Sequence, residues 1–547
     1  MRDQPPLNLL GDPLGGPDEP GVSPWWATWP CLVVLAVATR CVRYFAHFPL
    51  WEDECFLGVS LHQRDFLGLL QPLEYHQVAP FLFLWLEKAV VSVFGFNELA
   101  LRLPAFGCSL GSVALFVHLA RRLVSGQGLV FATALFAVSY PAIRYSAEAK
   151  PYGTDLFVSL GVIVLVTEWL RRPGETRWLW WLAVASPVAI GLSLPALFTT
   201  AAASLLILGV MIRHPAARHW LAWLACNASL VVGAAALYLA TVRPQTPAEM
   251  GFMTEYWADA FVPLTSFVGL VKWLVTTHTG ALFAHPVGDK NFGSTLTALL
   301  LVAGVVALAR SRRTVVALLL LLPLVLHLGA AALQRYPYGG HVKFSMYAAP
   351  MISVVMGIGV ASLLARFRRP EASLRWSKAA VISLVLLIGI GLGSIVSDVV
   401  TPYKTTADVR QRALATWLWH DGNFEDRTVC IKDDLGVSFS PRTWQDLGWS
   451  AMYLCNKYIY SPQRLVREPR PAYAPPPAQR YLRCVLYRDL GKGDFQQAAF
   501  DHWLAGMKQQ YPYVGMERFP LPRHDTRNRR LVTIDYLEIY KFEAPAP

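Results

Sequence analysis

Charge is scarce in this sequence. Only 16% of its 547 residues are Asp, Glu, Lys or Arg, 54% are hydrophobic, and mean hydropathy is +0.36. A soluble globular chain carries about 25% charged residues, so this balance excludes one of this length. Ionisable groups are nearly missing from the middles of the apolar stretches, with Arg40, Arg43, His118 and His327 as exceptions. No paired Gly/Pro-interrupted segments mark an inverted repeat, and both absences argue against an ion-coupled transporter. The eight cysteines are scattered. Cys31, Cys41, Cys55, Cys108 and Cys226 lie in or beside apolar stretches without metal spacing. Cys430, Cys455 and Cys484 fall in the C-terminal part, where one disulfide could form but spacing does not reveal its pairing. No cleavable secretory signal is expected, because residues 1–24 are rich in Pro, Gly and Asp and lack a basic region followed by a short apolar core.

Apolar stretches are what the sequence does have. About eleven reach the ~17–25 residues needed to cross a hydrocarbon core: 30–48, 103–120, 128–143, 154–170, 178–195, 197–212, 220–241, 294–309, 314–333, 346–365 and 379–397. Each is predicted to be helical, since lipid cannot satisfy exposed backbone groups. Arg121-Arg122, Arg171-Arg172, Arg213 and Arg218, Arg310 with Arg312-Arg313, and Arg366 through Lys378 recur in alternate connections, which the positive-inside rule makes cytoplasmic. The N-terminus is then cytoplasmic. Glu52-Asp53-Glu54, Glu148, the loop 242–293, the segment 334–345 and everything beyond Asp398 are predicted outside. The net charge of +12 is largely topological and needs no nucleic-acid partner.

The expected fold is mainly α: a multi-pass membrane protein with a small extracytoplasmic α/β domain. The chain divides into a cytoplasmic tail (1–24), a transmembrane region (25–400) with an external loop 49–102, and a soluble domain (401–547). Ala79 to Phe96 is predicted to lie as a helix in the membrane interface with Glu87 and Lys88 toward water. In the C-terminal part, Asp408 to His420 has helical periodicity, Arg480–Tyr487 and Leu531–Phe542 have strand composition, and Pro469–Pro477 is a Pro-rich connector.

Three external clusters could carry chemistry. Trp51-Glu52-Asp53-Glu54 places three carboxylates directly after the first apolar stretch; Asp53 is a candidate general base for a hydroxyl nucleophile, with Glu54 as its partner and Glu52 as a bystander. A solvated acidic turn is the plain alternative. The second cluster, Tyr145 to Asp155, contains Glu148, Lys150 and Tyr152, with Pro151 resetting the chain. Interfacial tyrosine and snorkelling lysine would explain part of it. The third, Gln334 to Phe344, collects Arg335, His341 and Lys343 against the positive-inside trend, which suits a phosphate, while Gly339-Gly340 would let backbone approach a ligand. Arg40 and Arg43 could add to an anion site or reach the headgroups. A divalent metal could be assembled from Glu74 and His76, or from Glu255, Asp259, His278, His285 and Asp289, but no tight ligand motif is present.

Trp51-Glu-Asp53-Glu54, Glu74-Tyr-His76-Gln-Val-Ala-Pro80, Asn97-Glu-Leu-Ala-Leu-Arg102-Leu-Pro104 and Glu148-Ala-Lys150-Pro-Tyr152 together resemble the multi-spanning glycosyltransferases of the C-type fold. The branch most similar holds bacterial relatives of the protein O-mannosyltransferases and the lipid A aminoarabinose transferases. The resemblance covers about residues 30 to 400 in order and spacing. It implies sugar transfer from a polyprenyl-phosphate sugar at the outer face of a bacterial plasma membrane, with inversion at the anomeric carbon. Asp53 would accept the acceptor's proton and Glu54 would help bind substrate. Glu148, Lys150, Tyr152, His76 and Arg102 would shape the sugar and acceptor pocket, and Arg335, His341 and Lys343 would hold the donor phosphate. The acceptor could be a glycan, a lipid or a protein. His341-Val-Lys343-Phe-Ser does not align with a family signature, so its phosphate role is an expectation from its charge, and the C-terminal domain offers no catalytic assignment. A lipid or polysaccharide transporter and a non-catalytic scaffold are the rival readings.

Overall fold

A computed structural model describes residues 8–14, 27–244, 251, 254–288, 292–366, 377–400, 412, 427–431, 455–456, 458–460, 481–488, 497–524 and 531–543. The chain forms two compact units. One comprises residues 1–46, 64–93 and 99–399; the other comprises 47–63, 94–98 and 400–547. The external loop expected as one piece therefore divides between them.

The first unit is a helical bundle. Its helices are α1 (Trp29–Phe45), α3 (Phe81–Phe94), α4 (Glu98–Leu123), α5 (Gly126–Ala137), α6 (Tyr140–Arg144), α7 (Tyr152–Arg171), α8 (Arg177–Leu192), α9 (Ala196–Arg213), α10 (Trp220–Leu237), α11 (Phe267–His278), α12 (Thr295–Arg310), α13 (Thr314–Ala332), α14 (Ala349–Arg366) and α15 (Lys378–Val400); the ends of α3 and α4 reach into the second unit. Ten of the eleven expected stretches each coincide with one helix, and 128–143 coincides with the pair α5 and α6. Seven are long and apolar enough to cross a membrane, and the pair Gly126–Ala137 and Tyr140–Ala147, bent by 48°, makes an eighth. The count falls short of eleven because α1, α8 and α12 run only 17, 16 and 16 residues. At ~1.5 Å per residue these are several ångströms shorter than a hydrocarbon core. A further apolar helical stretch, Phe267–Phe283, stands in the segment expected to be an external loop.

The bend between α5 and α6 has a local cause. Pro141 has no N–H to give to the Ala137 carbonyl four residues earlier; the Thr39 hydroxyl of α1, which is shared with the Leu35 and Ala36 carbonyls of its own helix, approaches that carbonyl at 3.3 Å. Close helix contact is made by small residues. A Cβ on Gly357 of α14 would meet the Ala132 Cβ and the Gly128 carbonyl of α5, both at 2.7 Å, and Gly304 of α12 lies against the Val355 backbone. In lipid, where no hydrophobic force drives helices together, such close backbone approach is a main source of association.

Charges in the helices turn inward. Arg40, expected near an anion site or the headgroups, is fully buried; its Nε donates to Ser109 Oγ at 2.9 Å and its guanidinium lies 4.9 Å over Phe136. Arg43 pairs with Asp398 of α15 at 3.3 Å, and Tyr140 donates to the same carboxylate at 3.0 Å. An ion in contact with hydrocarbon is costly, so both arginines find partners inside the bundle. Glu87 corrects an expectation in the same way: helix α3 forms, but this carboxylate is buried and not turned to water.

The second unit contains α2 (Glu52–Gln63), a four-stranded sheet and α16 (Gln497–Gln510). The strands β1 (Arg427–Ile431), β2 (Tyr481–Arg488), β3 (Tyr513–His524) and β4 (Leu531–Glu543) lie in the order β1-β2-β4-β3, with β1–β2 parallel and the other pairs antiparallel. β2 and β4 coincide with the two strands read from composition. Apart from Arg412, the helix expected at Asp408–His420 lies outside the described residues, as does the Pro-rich connector. Cys455 is a buried free thiol, while the side chains of Cys430 and Cys484 are outside the description.

Candidate active site

The acidic tetrapeptide is a helix start. Trp51 precedes α2, and the carboxylate of Glu54, three residues on, accepts the Trp51 backbone N–H at 3.1 Å. This is the return half of a capping box, in which a glutamate in the first turn satisfies a backbone donor before the helix. Glu54 is 1% exposed. Its carboxylate holds the turn, a role the sequence had not assigned to it. Asp53, one residue earlier, is half-buried in that turn.

In the bundle, the turn between α6 and α7 is built from buried polar side chains. Arg144 Nε donates to Glu148 at 3.1 Å, with both side chains buried. Lys150, 6% exposed, donates from Nζ to Gln77 Oε1 at 2.6 Å, tying the segment around the short turn Glu74–His76 to this one. The Tyr145 ring packs edge-on against Tyr152 at 4.8 Å, and its hydroxyl lies 3.4 Å from His341 Nδ1. That nitrogen also accepts the Lys343 backbone N–H at 3.2 Å, so it carries no proton and Tyr145 is the donor.

Glu148, Lys150, Tyr152 and His341 are thus assembled around Tyr145 and Gln77, two residues to which the sequence reading gave no role. The i,i+4 spacing of Arg144 and Glu148 was a legible signal on a helix. The Lys343 Nζ lies 4.6 Å over the Trp257 ring. Arg335 is exposed and makes no ion pair among the described residues. Arg102 is buried in the first turns of α4. His76 lies in the turn at 74–76, and its side chain is outside the description. The Gly339-Gly340 pair does allow close approach, but to the protein itself: a Cβ on Gly339 would lie 2.9 Å from Thr277, and Gly340 (φ +76°) lies against Ala260. Among the described residues no three His, Cys, Asp or Glu side chains converge as metal ligands, and Asp289 lies outside them.

Asp155, quoted in the second cluster without a role, is 3% exposed, and its Oδ1 has no hydrogen-bond partner among the described residues. Glu98 was likewise quoted, in the Asn97–Pro104 motif, without a role. It is 4% exposed and lies 2.7 Å from His47 Nε2, with Arg412 and Tyr460 donating to its two oxygens. Burial, with the Glu98 charge beside it, pushes the Tyr460 hydroxyl well above its ordinary pKa, so it is a donor at neutral pH.

The solved structure of ArnT from Cupriavidus metallidurans bound to undecaprenyl phosphate superposes with a TM-score of 0.50 at 13% identity, covering 92% of this chain and 97% of that one. The chain has the C-type glycosyltransferase fold. Within that fold, the family model described as dolichyl-phosphate-mannose-protein mannosyltransferase matches residues 78–245, which include Arg102, Glu148, Lys150 and Tyr152 but neither Asp53 nor the 335–343 segment. The apo structure of the same ArnT gives a TM-score of 0.46 at 12% identity, covering 93% and 98% of the two chains. No curated protein matches the sequence.

Proposed function

We propose that this protein is a glycosyltransferase that moves a sugar from a polyprenyl-phosphate donor to a hydroxyl of a glycan, lipid or protein outside the cytoplasm. The observation that carries the reading is Lys150. It is a buried ammonium held by Gln77 beside the Arg144–Glu148 pair, within the stretch that matches a family named for a polyprenol-phosphate sugar donor. The ArnT structure that shares the fold holds undecaprenyl phosphate, which supports a donor of that class here.

Asp53 is the base. The acceptor oxygen attacks the anomeric carbon, its proton passes to the Asp53 carboxylate, and the bond from the anomeric carbon to the phosphate oxygen breaks with the electron pair leaving on phosphate. One displacement inverts the centre and is balanced without a cofactor. Positive charge stabilises the leaving phosphate, a task for Lys150, with Lys343 and Arg335 on the donor side and the neutral His341 ring as a hydrogen-bonding group there. Glu148, Tyr152, His76 and Arg102 shape the sugar and acceptor pocket. The membrane is the plasma membrane of a bacterium, with the N-terminus cytoplasmic and residues 401–547 outside.

The test supplies purified protein with radiolabelled polyprenyl-phosphate sugars and membrane extract as acceptor. Transfer that falls at least ~100-fold in D53N supports the assignment, and full transfer in D53N removes Asp53 as the base. Movement of the labelled lipid across the bilayer without sugar transfer would favour the transporter reading.

A further inference from the structure

The helix that carries Asp53 is gripped at both ends by residues hundreds of positions away. At its entrance, Arg412 Nη2 donates to the His47 carbonyl at 2.6 Å and to Glu98 Oε2 at 3.0 Å, while its Nε donates to Glu98 Oε1 at 3.2 Å. Tyr460 accepts from Arg412 Nε at 2.9 Å and donates to Glu98 at 2.7 Å. His47 itself has φ +51°, a conformation costly for any residue but glycine. Its ring is held by Glu98 and its carbonyl by Arg412, so the strained turn leading into Trp51–Glu54 is fixed from two sides.

At the far end, the His62 ring stacks on Tyr458 at 3.9 Å, Phe96 packs edge-on against both rings, and Gln63 donates to the Tyr458 hydroxyl at 2.7 Å. Between the ends, Gly58 lets α2 press on Cys455, where a Cβ would stand 2.8 Å from the sulfur. All of these residues belong to the second compact unit.

We infer that Glu98, Arg412, Cys455, Tyr458 and Tyr460 form the seat of α2 and are positioning residues for Asp53, so that the C-terminal domain is part of the catalytic apparatus and not a detachable acceptor module. This rests on Asp53 as the base. The physical basis is that an arginine fork can bridge a carboxylate and a carbonyl at once, which a lysine point charge cannot, and that a misplacement of about 1 Å at a reacting group lowers turnover by ~100-fold.

The test uses the full-length protein in detergent or nanodiscs and the variants R412M, R412K and Y458F, each alone and with D53N. Expected are a fall in kcat of about 10- to 100-fold in R412M with donor KM little changed, a comparable fall in R412K, a smaller one in Y458F, and faster amide exchange over residues 47–63 with exchange in the membrane helices unchanged. In the D53N background R412M should cost nothing further, because it acts through Asp53. An equal loss in both backgrounds, or wild-type exchange over 47–63 in R412M and Y458F, would overturn the inference. If R412M fails to fold, Y458F carries the test. Loosened exchange over 47–63 together with full activity in D53N would leave the seat standing and remove the proposed base, which separates the two ideas.

Discussion

The two stretches that hold the candidate chemistry are built differently. The turn from Tyr140 to Tyr152 draws most of its partners from nearby in sequence or from neighbouring bundle helices: Glu148 pairs with Arg144 one helical turn away, and Asp398 of α15 takes both Arg43 and Tyr140. The helix α2 is short, has Glu54 as its own cap, and takes further support from Arg412, Cys455, Tyr458 and Tyr460. A membrane bundle stabilises polar groups by enclosing them with local partners, because any left facing lipid is costly. A helix outside the bundle must be located by long-range contacts, and here those contacts converge on a conformationally strained residue, His47.

Substitutions at five sites, Asp53, Lys150, Arg43, Gly357 and Glu54, sharpen or break this contrast. The largest effect is expected at the reacting end of α2 and at the buried lysine: D53N and K150M should each lower kcat/KM for the lipid-linked sugar by about 100-fold or more, read in the transfer assay, and a loss confined to K150M would place the chemistry wholly in the bundle. Next, R43M leaves the buried Asp398 carboxylate without its cation and should destabilise the bundle by ~3–5 kcal/mol; the double variant R43M/D398L should recover most of that by thermal unfolding in detergent, and an unchanged melting temperature in R43M would show the pair to be idle. Smaller is G357L, which overfills the contact with Ala132 and the Gly128 carbonyl and should cost about 1–3 kcal/mol by the same measurement. The smallest is E54A, about 1 kcal/mol of local stability from the lost cap. E54Q keeps a side-chain acceptor for the Trp51 N–H and should behave nearly as wild type, whereas equal damage from E54A and E54Q would return Glu54 to substrate binding.

Much of the bundle was legible because its helices are long apolar runs punctuated by arginines, and lipid admits few alternatives to a helix. The ordered motifs around Trp51, Glu74, Asn97 and Glu148 pointed to the same fold that the ArnT superposition shows. Legibility failed where one-dimensional patterns do not encode direction. Arg40 and Glu87 looked like surface charges because a charge beside an apolar run normally reaches for water; both are buried, since neighbouring helices enclose them. Gly339-Gly340 looked like a ligand cradle, but the space it opens is filled by Thr277 and Ala260. Glu98 stood within the Asn97–Pro104 motif but its role was not legible, since its partners His47, Arg412 and Tyr460 are dispersed over more than four hundred positions.

By itself, the sequence determined that this chain is a multi-pass membrane protein whose few acids outside the apolar stretches are the places to look for chemistry, because hydropathy and the distribution of arginines act locally and survive without knowledge of neighbours. Only the tertiary structure decided that Glu98, through His47, Arg412 and Tyr460, clamps the turn that leads to Asp53, whereas Glu54 caps its own helix and Glu148 pairs within one helical turn. A carboxylate's role is set by which donors reach it, and those of Glu98 come from distant parts of the chain.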